Sequence, residues 1–217
     1  MTPDLSRFTR APERQATDRE ELHEFLDSQF VGVLASVAEG QPWVVPMLYA
    51  RDGDLVLLHG STGAGLLRHV AAGAPVAFCV TAVDGLVVAH STFDSSVNYR
   101  SAVIRGVLEQ ARGSSERDLL DTFSDQLMPG RTGEVRPSSA KEVAATLALR
   151  LPITADNWLM KTRTGPPDPP ENPAEQSVWC GVVPLALTAG SPQSAGWSVG
   201  PVPESVHAFI AGHPQPS

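Results

Sequence analysis

Short runs in which hydrophobic and polar residues alternate dominate this chain, and turn residues separate the runs at close spacing. Residues 31–50 predict two strands joined by a turn at Glu39-Gly40-Gln41, because the apolar residues from Val31 to Val37 alternate with smaller or polar ones. Pro46 lies inside the second run and predicts a sheet edge or a bulge, since proline has no N–H to donate to a ladder.

Further strands follow at the same short spacing. Asp52-Gly53 predicts a hairpin turn before a strand at Leu55–His59, and Asp84-Gly85 predicts a turn between two strands within residues 75–95. Additional strands are predicted at residues 98–111, 147–154, 157–164 and 177–188. Most connections are too short for the crossovers that parallel strands require, so the predicted fold class is mainly β, an antiparallel barrel with added helices.

Amphipathic segments between the strands predict short helices. Thr17–Phe30 begins with Thr17 or Asp18 as a possible N-cap, and Ser115 with Asp118 resembles a capping box. Helices are predicted at residues 61–73, 114–127 and 138–148, whereas residues 164–176 are too rich in proline for regular structure. We predict one domain over residues 1–189, followed by a Pro/Gly/Ser-rich tail over residues 190–217.

Charge and composition exclude some classes of function. The 217 residues carry 16 Lys and Arg against 24 Asp and Glu, a net charge of −8, and no basic run of the kind that binds nucleic acid. No apolar stretch approaches the length of a membrane span, and the first residues lack the apolar core of a secretory signal. Cys79 and Cys180 lie in apolar runs and are interpreted as small core residues, so we expect a cytoplasmic protein.

The segment LHGSTGAGLLRHV is the strongest indication of a binding site. A strand leads into a turn of small residues and then a helix, where backbone N–H groups and the hydroxyls of Ser61 and Thr62 can hold a phosphate. Arg68 follows in the helix and can add charge-assisted hydrogen bonds. An ordinary Ser-capped helix is an equally good interpretation of this pattern.

Other polar residues allow two interpretations each. His59 can be a ligand or a proton donor at a strand end, or simply a hydrogen-bonded histidine. Tyr99 and Arg100 can reach a ligand or a partner subunit, or belong to a polar hairpin loop. A third cluster combines Trp179 with Lys161 and Arg163, which a solvated strand end would also explain.

The side chains themselves supply no evident reaction centre. The six histidines show no metal-binding spacing, and the G-x-S-x-G motif of serine hydrolases is absent. No pair of carboxylates stands out for acid–base catalysis. If the protein is an enzyme, we expect a cofactor to carry the chemistry.

The order of several segments resembles the pyridoxamine 5′-phosphate oxidase-like family of FMN-binding split barrels, in particular its flavin-nucleotide-binding and nitroimidazole-resistance-type branch. The resemblance extends over about residues 17–188. The segments that carry it are VVPMLYA, LHGSTGAGLLR, DGLVVAHSTFDSSVNYRSAVIRG, LMPGR, RPSSAKEVAAT, LRLPI, KTRTGPP and VWCGVVPL.

This resemblance implies a six-stranded antiparallel split barrel that forms a homodimer, with FMN in two clefts at the interface. It implies that the backbone of Val45, Pro46 and Met47 lies along the flavin ring. The remaining residues that it places at the cofactor are His59, Ser61, Thr62 and Arg68 near the phosphate, Tyr99, Arg100 and Ser101 on an approaching strand, and Trp179 beside the ring.

The resemblance also implies a function. The sequence lacks the Arg-x-His element near the C-terminus of the biosynthetic oxidases, which argues against oxidation of pyridoxamine phosphate. We expect an FMN-binding oxidoreductase that transfers hydride or electrons between the flavin and a small molecule, with an electron donor such as NAD(P)H. A non-catalytic protein that stores or senses flavin, deazaflavin or haem is the alternative, because relatives of this fold bind all three.

Overall fold

Two antiparallel β-sheets organise the chain in a computed structural model that describes residues 8–172, 174 and 177–213. The large sheet has seven strands in the described residues, in the spatial order β1-β10-β7-β6-β2-β3, with β11 pairing to the distal half of β6. These strands are β1 (Gln15–Ala16), β2 (Val31–Ala38), β3 (Gln41–Leu48), β6 (Pro75–Val88), β7 (Ser96–Val107), β10 (Trp158–Arg163) and β11 (Gly181–Pro184).

The small sheet packs beside it and has the order β4-β5-β9-β8. Its strands are β4 (Ala50–Asp52), β5 (Leu55–Ser61), β8 (Glu109–Gln110) and β9 (Thr146–Pro152). The main hydrophobic core lies between the two sheets and beneath the first two helices, and it includes Leu34, Phe78, Ile104 and Leu149, all fully buried. The mainly β split-barrel prediction is confirmed, with seven strands in the large sheet instead of six.

Six helices are described, together with one turn of 3-10 helix at Pro12–Arg14. They are α1 (Arg19–Asp27), α2 (Gly65–Ala71), α3 (Ser114–Leu127), α4 (Arg131–Glu134), α5 (Ala140–Ala144) and α6 (Glu204–Gly212). No helix in the described part of the chain is both long and apolar enough to cross a membrane.

Several local predictions are confirmed. Asp18 caps α1 by accepting a hydrogen bond from the N–H of Glu20 at 3.0 Å. Glu39 and Gly40 both have positive φ in the turn between β2 and β3, as a tight hairpin requires. Pro46 lies on β3, which forms one end of the large sheet.

The turn predicted at Asp84-Gly85 is wrong. β6 continues through these residues with a β-bulge, and the chain reverses after Val88 instead. Gly85 serves close packing, because a Cβ added there would lie 2.8 Å from a methyl carbon of Val182 on β11. Gly85 therefore marks the close approach of a neighbouring strand and not a turn.

Three other boundaries also differ. The helix predicted over residues 138–148 covers only Ala140–Ala144, because Thr146 already pairs with Ser61 in the small sheet. The capping box lies at the start of this helix, where Ser139 and Glu142 bond reciprocally, and not at Ser115, whose hydroxyl bonds to Arg112. The strand predicted over residues 177–188 is limited to Gly181–Pro184.

The C-terminal tail contains a helix that composition did not predict. In α6, the backbone N–H of Ser205 donates to a carboxylate oxygen of Glu134 on α4 at 2.9 Å, and the Ser205 hydroxyl donates to the other oxygen. These bonds lower the pKa of Glu134. Phe209 packs edge-on against Phe30 with a centroid separation of 5.9 Å. Long-range contacts of this kind cannot be seen in a Pro/Gly/Ser-rich sequence.

Tyr49 ties the end of α1 to the core. It is 1% exposed, and its hydroxyl donates to the carbonyl of Leu26 at 2.6 Å while its ring meets Phe78 edge-on. Burial is the main cause of its raised pKa. The hydroxyl therefore stays protonated and continues to donate at every pH at which the fold persists.

We expect Tyr49→Phe to destabilise the fold by about 1 kcal/mol, since the carbonyl of Leu26 loses its shorter hydrogen bond and keeps the longer one from the N–H of Gln29 at 3.3 Å. Chemical denaturation measures this loss. Tyr99→Phe is the matched control, because the Tyr99 hydroxyl makes no hydrogen bond within the described residues. Equal stability of Tyr49→Phe and the native chain would show that water replaces the donor at no cost.

Candidate functional site

The outer face of the large sheet is apolar and exposed along β2 and β3. Val33 lies opposite Pro46 in the register of these strands, so both project to this face. Val37 and Val44 on the same face are 60% and 55% exposed. Because β3 pairs only with β2 within the described residues, its free edge also exposes backbone N–H and C=O groups.

Strand alternation divides the three residues predicted on β3 between two faces. Pro46 projects outward, whereas Val45 and Met47 lie opposite Leu34 and Gly32 and pack against the main core. A ligand on the outer face would meet the backbone of this segment and not the side chains of Val45 and Met47. This geometry is compatible with the implied backbone contact to a flavin ring.

Tyr99 and Ser101 lie on the same outer face but at a different part of the sheet. The Ser101 hydroxyl is 3.2 Å from that of Thr81 on β6. Two strands, β6 and β2, separate β7 from β3, so three spacings place these residues at least roughly 14 Å from Pro46. The register increases the distance, because Pro46 is in line with Val103 and not with Ser101 or Tyr99. One chain does not bring Tyr99 and Ser101 into one pocket with β3.

Arg100 lies on the opposite face of β7, where its guanidinium forms two hydrogen bonds with Asp84 at 2.7 and 3.0 Å. This pairing is the main cause of its raised pKa. The guanidinium also lies 5.2 Å from the centre of the Phe25 ring. Arg100 therefore holds α1 against the bulge in β6, and the structure does not bring it to the outer face with its neighbours.

The turn that follows β5 is exposed, but part of its hydrogen-bonding capacity is used within the chain. The backbone N–H of Thr62 donates to the carbonyl of Ala145 at 3.0 Å, and the Thr62 hydroxyl reaches the same oxygen at 3.3 Å. The Ser61 hydroxyl oxygen accepts from the N–H of Gly63 at 3.1 Å, which leaves its own hydrogen free to donate. Of the two predicted phosphate donors, Ser61 is available and Thr62 is engaged.

Arg68 lies one turn into α2 and is exposed. It forms no ion pair or side-chain hydrogen bond within the part of the chain that is described. With the free Ser61 hydroxyl, Arg68 gives this end of the barrel two donors that suit an anion.

His59 contacts α3 and not the turn, although only one residue, Gly60, separates it from Ser61. Its ring packs edge-on against Phe123 of α3 at a centroid distance of 4.3 Å. Burial lowers its pKa, and its Nδ1 is buried with no hydrogen-bond partner among the described residues. The imidazole is therefore neutral at pH 7.

Trp43 was not singled out in the sequence, yet it is the aromatic residue beside the turn. Its indole lies against Gly65 at the start of α2 and stacks on His69 with a centroid distance of 6.5 Å. In the sequence, a tryptophan on a predicted edge strand and a glycine in the first turn of the next helix, α2, could have indicated this contact.

The third predicted cluster does not form a site. Trp179 is 65% exposed beside Gly181, at the start of β11. Lys161 donates to the carbonyl of Arg10 at 2.7 Å and Arg163 to that of Val97 at 3.2 Å, so both tie neighbouring segments together. Within the described residues, no hydrogen bond or ring contact joins Trp179 to either of them.

The described residues contain no group of three His, Cys, Asp or Glu side chains arranged to hold a metal ion. Cys79 and Cys180 are both free and half-buried, so the expectation that they are core residues is wrong. Cys79 lies opposite Val33 and projects to the outer face of the sheet.

Comparison with known proteins identifies the fold and the family. The profile of the family described as pyridoxamine 5′-phosphate oxidase matches residues 18–157, which include the small sheet, four of the seven described strands of the large sheet and the Ser61 turn. The chain belongs to this family. No curated protein sequence matches the chain.

Two solved structures resemble this pyridoxamine 5′-phosphate oxidase family member over nearly its full length. The FAD and heme binding protein from Mycobacterium smegmatis is 44% identical, with 91% of this chain and 97% of that chain covered and a TM-score of 0.88. The flavocytochrome Anf3 from Azotobacter vinelandii is 29% identical over 95% of this chain and 97% of that chain, with a TM-score of 0.86.

A third structure shows the fold alone. It is a putative 5-nitroimidazole antibiotic resistance protein from Bacteroides thetaiotaomicron, 19% identical over 68% of this chain and 85% of that chain, with a TM-score of 0.56.

The half-buried His59 predicts a pH-dependent stability. Because burial lowers its pKa, the unfolded chain binds the proton more readily, and stability falls as the pH drops below about 6.5. We expect His59→Gln to reduce the loss of melting temperature between about pH 8 and about pH 5. His207→Gln, at an exposed histidine, is the control, and an unchanged pH profile in His59→Gln would contradict the prediction.

Proposed function

We propose that this protein binds a flavin nucleotide and transfers electrons or hydride between the flavin and a small molecule. The observation that carries the proposal is the combination of an exposed, apolar sheet edge at Pro46 with the anion-binding donors of Ser61 and Arg68 at the end of the adjoining barrel. A flavin nucleotide requires both kinds of surface, because a flat aromatic ring and a phosphate belong to one molecule.

The residues present fit the phosphate of such a group. The Ser61 hydroxyl has a free hydrogen, and Arg68 has no competing carboxylate within the described residues. The backbone of residues 45–47 on β3 would support the ring from one side. Family membership and the names of the two full-length relatives support the same assignment.

Flavin supplies the redox chemistry when it is bound, and the protein side chains bind and orient it. Val44 and Pro46 would keep water from one side of the ring, while Ser61 and Arg68 would bind the phosphate end. No histidine or carboxylate lies beside Pro46 on the outer face of β2 and β3, whose side chains there are apolar. Substrate selection then depends on which molecule can lie over the exposed ring.

The second candidate is a protein that binds both flavin and haem. It is favoured because the relative that is 44% identical is named as an FAD and heme binding protein, and the second relative is named a flavocytochrome. Such a protein would pass electrons between its cofactors, or store and sense them without turnover. NAD(P)H is the donor to test first in either case.

The visible absorption spectrum of the purified protein tests these functions. A flavin double band that bleaches on addition of NAD(P)H supports the oxidoreductase, whereas a Soret band alone would replace it with haem binding. Both features together support the second candidate. A colourless protein that takes up no FMN or FAD would overturn the proposal.

The phosphate contacts predict the effect of one substitution. We expect Arg68→Gln to weaken the binding of FMN and FAD about tenfold, because a charge-assisted hydrogen bond is lost, and to leave riboflavin, which has no phosphate, unchanged. Arg112→Gln is the control at another exposed arginine. Equal losses for all three flavins would exclude Arg68 as a phosphate ligand.

We also propose that two chains associate through the outer face of the large sheet. A contiguous apolar surface such as that of Val31, Val37 and Val44 marks an interface in a folded protein. A second chain is also what could bring Tyr99 and Ser101 to a flavin on β3, since about three strand spacings separate them within one chain.

Val37→Arg tests the association. We expect this variant to be monomeric, because a charge would be buried in an apolar interface. Light scattering after gel filtration gives the mass. Val199→Arg, at a fully exposed valine of the tail, is the matched control and should leave the mass unchanged. A native chain that is already monomeric would contradict the proposed interface.

A further inference from the structure

Trp43 and His69 form an aromatic pair beside the proposed phosphate site. The two rings are nearly parallel, with an angle of 26° and a centroid distance of 6.5 Å. A ring nitrogen of His69 lies 3.0 Å from the carbonyl of Val37, which fixes the imidazole on α2. The indole thus rests on a ring whose own orientation is held by the neighbouring strand.

Gly65 allows the indole to lie this close to the helix. A Cβ added at Gly65 would be 2.7 Å from Cη2 of Trp43 and 3.2 Å from Cζ2, closer than a methyl group tolerates. The close contact holds the indole at the first turn of α2. Trp43 nevertheless remains 39% exposed, so a substantial part of this fixed ring is open to solvent.

The pair is close enough to the phosphate donors to contact the same ligand. Gly63, which bonds to Ser61, is two residues from Gly65, so their Cα atoms are at most about 7.6 Å apart. FMN ends at its phosphate, whereas FAD continues from there with a second phosphate, a ribose and an adenine. The part of FAD that lies beyond Ser61 would leave the site in the region of Gly65 and Trp43.

We propose that the cofactor is the dinucleotide FAD and that Trp43 stacks on its adenine. This inference rests on the proposed flavin site and specifies which flavin it takes. His69 and Gly65 position the indole, and Ser61 and Arg68 bind the phosphates. The adenine of FAD has an aromatic face that an exposed indole binds, and FMN has none to offer.

Stacking of a base on an aromatic side chain contributes enough to be measured separately. Its loss corresponds to roughly a 5- to 150-fold change in affinity for one base. We expect Trp43→Leu, which keeps an apolar side chain against Gly65, to weaken FAD binding by about this factor and to leave FMN binding within about twofold. Trp43→Phe should restore most of the FAD affinity.

Isothermal titration calorimetry of the flavin-free protein with FAD and with FMN measures both affinities without any turnover. Trp197→Leu is the matched control, because Trp197 is 86% exposed in the tail and no aromatic partner is found for it in the described residues. Melting curves of each variant, recorded without flavin, show whether the fold is intact. If Trp43→Leu does not fold, Trp43→Phe and Trp43→Met carry the same comparison of FAD with FMN.

The outcomes separate this inference from the function on which it rests. Selective loss of FAD binding in Trp43→Leu with rescue by Trp43→Phe supports adenine stacking. An equal loss for FAD and FMN, or no loss for either, overturns it while the flavin site stands. If the native chain binds neither flavin, the proposed function itself fails and the role of Trp43 fails with it.

Discussion

The long antiparallel pairing between β6 and β7 is the interaction on which the rest of the structure depends. The ladder runs from Pro75 opposite Val107 to Val87 opposite Ser96, and the bulge at Asp84 bends it. The first half of β6 pairs with β2 and the second half with β11, so one strand joins the barrel to the C-terminal segment. The ion pair between Asp84 and Arg100 fixes the bulge where these halves meet.

That ladder leaves the large sheet with two faces of different character. The inner face carries Phe78 and Ile104 into a closed core, whereas the outer face carries valines and short hydroxyl-bearing residues. Several of these valines stay exposed in the described part of the chain, although Leu187 of the C-terminal segment lies beside Val31. A contiguous apolar surface of this kind is typical of an interface, which is why we propose that two chains associate through it. A planar cofactor on β3 and a second chain would both contact the outer face of β2 and β3.

The sequence predicted those features that depend on local rules. Pro46 indicated an edge strand because proline lacks an N–H, and Asp18 indicated a helix start because its carboxylate can cap. It did not predict what depends on contacts between distant segments. Gly85 resembled a turn residue but serves close packing with β11, and Ser205 in a tail without periodicity is buried by Glu134 on another helix.

The same distinction explains the candidate site. The Ser61 turn was found because small and polar residues are visible in any sequence, yet only the fold shows that Thr62 is bonded to Ala145 and that Arg100 is bonded to Asp84. The position of Trp43 beside the turn could not be predicted from local patterns. It depends on contacts with Gly65 and His69, which lie on a helix 22 or more residues away. A ligand site on this barrel is thus defined less by its polar residues than by which of them the fold leaves without a partner.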